Sequence, residues 1–154
     1  MIEVIAATAR WVQLAANLIL LGSCVFLAIA GTDKRIFSAL WARKLERLLP
    51  WLALCIIAGL LVILATTISQ TTGNISKLLQ PDIWMGIVKD TRMGQIWIGR
   101  EILAILLFCV VFYICKVHRT RWHYILCAVI AVLPLTAGSL ASHAAAEEFS
   151  VVSI

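Results

Sequence analysis

At 154 residues, 62% hydrophobic and only 14% charged, with a mean hydropathy of +0.99, the chain exceeds the apolar share of a water-soluble domain and is expected to be an all-α integral membrane protein. The net charge of +5 is not a nucleic-acid signal, because the basic residues lie in loops beside apolar runs, where they report topology. P-loop, dinucleotide-binding and zinc-hydrolase patterns are missing, as is a nucleophilic triad, so no enzyme activity is expected.

Four apolar runs, about 5–30, 49–69, 96–115 and 122–142, are long enough to cross a bilayer core of about 30 Å. They predict one transmembrane domain over 1–154, a polytopic four-transmembrane-helix bundle in contact with lipid. Ala28-Ile29-Ala30 resembles a signal-peptidase site and Leu21-Gly22-Ser23-Cys24 a lipoprotein signal. A cleaved leader wants a basic start, a short apolar segment and a polar sequel; here the apolar run begins near Val4 and is followed by Lys34-Arg35, and Cys24 is followed by Val-Phe-Leu-Ala-Ile, so the first run reads as a retained span. Along it Arg10, Gln13, Asn17 and Cys24 recur on one helical face, and polar residues in lipid are costly enough that this face should turn inward. An interhelical hydrogen-bond stripe and a polar pathway both fit that pattern.

Residues 33–48 alternate Ile36, Phe37, Leu40, Trp41, Leu45 and Leu48 with Lys34, Arg35, Arg43, Lys44 and Arg47. This is the pattern of an amphipathic helix lying on the cytoplasmic membrane surface, with Pro50 then opening the second span. Cys55, Gly59, Thr66 and Gln70 make a sparse polar or small face along that span. The outer loop contains Asn74-Ile75-Ser76, a glycosylation-type sequon without meaning in a bacterial host, and Pro81-Asp82, which reads as the start of a short capping helix.

The third span begins with an anomaly. Arg100 and Glu101 sit one turn inside its start, and an ionisable pair there must be partnered, snorkel or line a cavity. The fourth contains Pro134, and Thr136, Ser139 and His143 follow it on one face. Loops one and three carry eight Lys and Arg against three in loop two, so the positive-inside rule places both termini in the periplasm of a bacterial inner membrane. Arg10, Trp97, Arg100, Glu101 and His143 then share the periplasmic end. Five cysteines without a CxxC read chiefly as small apolar residues, with soft-ion binding the sharper alternative. His118 and His123 flank the inner loop while His143 is outside, so no haem is expected from this chain alone.

Asp82-Ile-Trp-Met-Gly-Ile-Val, then Arg92-Met-Gly-Gln-Ile-Trp-Ile-Gly-Arg-Glu-Ile-Leu, then Ala137-Gly-Ser-Leu-Ala-Ser-His-Ala-Ala-Ala resemble the copper-resistance protein D (CopD) family. Its members show Gly-x-x-Trp-x-x-Arg entering the third helix and Gly-His-Ala ending the fourth; Gly94, Trp97, Arg100 and His143 match in order, with Ser142 in place of the glycine. Family members continue through further helices, so the likeness is to the N-terminal four-helix half. It implies copper handling or copper transport, often with a periplasmic copper-binding partner. His143 with Met85 and Met93 is a candidate imidazole–thioether copper site, the methionines serving otherwise as cover for the apolar rim. The rival expectation is an accessory subunit packing against a larger membrane complex, and a quinone or haem anchor needs histidines from another subunit.

Overall fold

The computed structural model describes residues 1–30, 40–73, 81–116 and 121–151; at 71, 72, 81, 83, 87, 92, 93 and 137–151 it describes the backbone alone. The helices are α1 (Ile2–Ala30), α2 (Leu40–Thr72), α3 (Pro81–Asp90), α4 (Arg92–Lys116) and α5 (Arg121–Val151), with no strand among the described residues. Ile2–Ala30, Leu40–Gln70 and Gly94–Lys116 are long and apolar enough to cross a membrane. In α5 the apolar stretch of described residues, Arg121–Thr136, is shorter. The asparagine sequon, Lys34, Arg35, Lys77, His118 and Arg119 lie outside the described residues.

The long helices run antiparallel. Phe26 packs on Trp41 where α1 ends and α2 begins, with ring centroids 5.5 Å apart. Tyr113 meets His123 across the turn from α4 to α5, at 6.2 Å. Trp97 reaches Leu60, and at the other end of the same helices Cys115 reaches Glu46. Each helix therefore presents a buried stripe at helical spacing: Leu20, Cys24 and Leu27 on α1, Leu49, Ala53, Ile56 and Leu60 on α2, Leu107, Val111 and Ile114 on α4, Tyr124, Cys127 and Ala131 on α5. Outward-facing positions such as Trp11, Leu18, Leu54, Ile102 and Val129 are large, apolar and exposed, which suits lipid as the surrounding solvent.

Ends are set by local chemistry. Pro81 and Asp82 open α3 as expected, proline at a position where its missing N–H is harmless and the acid beside the positive end of the dipole. Gly73, at φ 63°, closes α2 by donating its N–H to the Ser69 carbonyl at 3.0 Å, a left-handed conformation that glycine adopts without strain.

Two expectations are corrected. Residues 40–48 do not form a separate surface helix ended by Pro50; they are the first turns of α2, and Pro50 lies inside it. The reason is Glu46 with Ala42 and Leu49, which continue the buried stripe of the span down into the basic segment. On α1, Gln13, Asn17 and Cys24 are buried as expected, but Arg10 is exposed.

Candidate functional site

The N-terminal half of α4 is fastened at three successive levels. Thr91 caps it, its hydroxyl accepting the Gly94 N–H at 3.0 Å. Two turns in, the Trp97 indole Nε1 donates to the Leu60 carbonyl of α2 at 2.9 Å. One turn deeper, the Arg100 guanidinium donates to Gln13 Oε1 of α1 at 3.4 Å. Gly59 of α2 makes this convergence possible, because a Cβ there would stand 2.8 Å from the Gln13 Cβ. Only hydrogen at this position lets α1 approach α2 closely enough to aim Gln13 at α4.

The result is a polar cluster inside an apolar bundle. Asn17, one turn below Gln13, is 1% exposed, and neither its Oδ1 nor its Nδ2 has a hydrogen-bond partner among the described residues. The same holds for Arg100 Nε, Glu101 Oε2 and, on α2, Ser69 Oγ. Arg10, though exposed, lies within electrostatic reach of Arg100. The thiol and hydroxyl face expected on α2 does not join them: the Thr66 hydroxyl donates to the Ile63 carbonyl of its own helix at 2.9 Å, and Cys55 is exposed.

A second cluster occupies the opposite end. Glu46 is 5% exposed, and the hydroxyl of fully buried Tyr124 donates to its Oε1 at 2.6 Å. Between the two clusters, Cys24 of α1 and Cys127 of α5 are both fully buried and lie within electrostatic reach of each other.

The model of the Copper resistance protein D-like, N-terminal domain, matches residues 1–150. The chain belongs to that family. No curated protein and no solved structure matches it.

Within the copper resistance protein D-like fold, the Gly-x-x-Trp-x-x-Arg positions acquire distinct physical tasks: Gly94 takes the helix cap, Trp97 ties α4 to α2, and Arg100 ties it to α1. The backbone of α5 runs helically through His143, and Cys127 is level with Cys24. From that level, sixteen residues of α5 rise about 24 Å and the fourteen back to Arg10 rise about 21 Å, at about 1.5 Å per residue. His143 thus belongs to the end that carries Arg10, Gln13 and Arg100. Met85 on α3 is exposed, and α3 packs chiefly on α4. The side chains of His143 and Met93 lie outside those described. Among the described residues no three His, Cys, Asp or Glu side chains gather in a metal-binding group.

No motif in the sequence marks Glu46 or the proximity of Cys24 and Cys127. Glu46 was signalled by its spacing with Ala42, Leu49 and Ala53, the stripe of the following span. Cys24 and Cys127 carry no mutual spacing, since the register between α1 and α5 is written in neither helix.

Proposed function

We propose that this protein handles copper at the periplasmic face of a bacterial inner membrane, as a four-span protein with both termini periplasmic. The observation that carries the reading is family membership over residues 1–150, a copper resistance family. The Gln13–Arg100 bond and the buried Asn17 and Glu101 support it, because ionisable and polar side chains inside a membrane bundle mark substrate and ion paths.

In this reading His143, with Met85 and Met93, captures the ion at the outer end. Imidazole and thioether are neutral donors that suit Cu(I). Neutral donors also suit a mouth bearing Arg10 and Arg100, whose guanidinium charge disfavours a divalent cation more than a monovalent one. The role is binding and transfer, without catalysis, in company with other membrane subunits or a periplasmic copper-binding protein.

Copper content of the purified protein, wild type against His143→Ala, tests capture. Loss of bound copper in the variant is the expected result; equal copper in both removes His143 from the site.

A further inference from the structure

α1 and α4 stand diagonally in the bundle, each packing on α2 and α5. They run in the same direction, since both are antiparallel to α2. Across that diagonal only long side chains meet, and Gln13 and Arg100 do so, the guanidinium donating to Oε1 at 3.4 Å. One turn further along both helices, about 6 Å deeper, the same level is held by Asn17 and Ala104, both buried. An asparagine and an alanine are too short a pair to span the diagonal. Three residues beyond them, Leu20 and Leu107 close it with apolar bulk.

Asn17 is the polar group stranded at that level. Its Oδ1 and Nδ2 both lack a hydrogen-bond partner, so exchanging the two atoms leaves the mismatch in place. Arg100 Nε, in the guanidinium that binds Gln13, is unpaired as well. We propose that this level is a binding site for ordered water, which joins the Asn17 amide to the Gln13–Arg100 pair at the centre of the bundle. The class of ligand follows from the mixture of unsatisfied atoms: Nδ2 and Nε donate, and Oδ1 accepts. A bare cation satisfies the acceptor alone and an anion the donors alone. Water gives and takes, making about three hydrogen bonds at a buried site. Gln13 and Asn17, four residues apart on one helix, are neighbours that a single water can bridge. Glu101, also with an unpaired Oε2, projects about 100° from Arg100 around α4 and lies off this diagonal. The water hydrates the Arg100 charge inside the bundle, and the leucine layer is where that hydration ends. The site holds whether or not copper binds at the outer end.

The chain has two asparagines, Asn17 and Asn74, so isotope labelling of asparagine in the full chain in detergent gives two side-chain amide signals, and Asn74→Ser assigns them. Magnetisation passed from water to the Asn17 amide protons should carry the sign of dipolar contact with a long-lived water, which in the rotating frame is opposite to that of chemical exchange. No dipolar transfer from water, or transfer from detergent chains in its place, overturns the proposal. Asn17→Leu gives a second reading. With water bonded there, the substitution removes its anchor and should lower the melting temperature. A dry, stranded amide would be relieved by a leucine of similar size, so a melting temperature equal to or above that of the wild type overturns the proposal too. If the variant does not fold, the wild-type signal decides alone.

Discussion

The Cys115 thiol donates to the Glu46 carbonyl at 3.6 Å, and that carbonyl is the one Pro50 leaves without its helical partner. Proline at 50 has no N–H to give back to residue 46, so the freed carbonyl is open to another donor. Cys115, brought in from the last turn of α4, takes that place and ties the start of α2 to the end of α4.

A double-mutant cycle isolates this contact. Cys115→Ala should lower stability by about 1 kcal/mol while Pro50 is present. In a Pro50→Ala background, where the backbone bond is restored, the same change should cost measurably less. Thermal unfolding of the four proteins in one detergent reads the coupling, and identical costs in both backgrounds would show that the thiol does not replace the lost bond.

Tyr124 and Glu46 give a second prediction. Their side chains are buried and joined at 2.6 Å, so Tyr124→Phe removes a donor from a carboxyl that water does not reach freely. The expected loss is about 1–3 kcal/mol, with little change in packing volume. Replacing Glu46 by Leu in the same background should recover part of it, because the deprived polar group is then gone. A double variant less stable than Tyr124→Phe alone would mean that Glu46 contributes through other contacts more than through this one.

These two contacts also mark what could be read before the fold was known. Hydropathy and length give the three long apolar helices α1, α2 and α4, and Pro81-Asp82 gives α3, because both signals are local. Pro50 misleads for the opposite reason: proline suits a helix start, and a tertiary donor from α4 meets the carbonyl it frees inside one. Glu46 stood among Arg43, Lys44 and Arg47 and took on their surface character, although its spacing to Leu49 and Ala53 pointed inward. Contacts between helices, Gln13 with Arg100 or Trp97 with Leu60, depend on relative rotation and register, which no single helix encodes.

Gly59 and Gly99 offer a contrast within one fold. An alanine Cβ at 59 would meet the Gln13 Cβ at 2.8 Å, whereas at 99 nothing lies within 4 Å. Gly59→Ala should therefore cost about 1–3 kcal/mol by prising α1 from α2, and it should also weaken the Gln13–Arg100 bond that depends on that approach. Gly99→Ala should be neutral or stabilising by up to about 1 kcal/mol, since alanine is the better helix former. Melting temperatures of the two variants measured side by side decide it; equal destabilisation would remove the close approach as the cause.

The final prediction separates fastening from binding at the start of α4. Trp97 donates its indole N–H to the Leu60 carbonyl, and a phenyl ring fills much of the same space without that donor. Trp97→Phe should therefore lower the melting temperature by an amount corresponding to about 1 kcal/mol, and Thr91→Ala, which removes the helix cap, should cost a similar amount. Neither residue offers a soft donor to copper, so copper bound per folded chain should stay at the wild-type level in both. Losing stability while keeping copper is the signature of residues that hold the helix where the site needs it. Loss of copper at unchanged melting temperature in Trp97→Phe would instead make the indole part of the ion's own surroundings, and the three-level fastening of α4 would then be a consequence of the site and not its support.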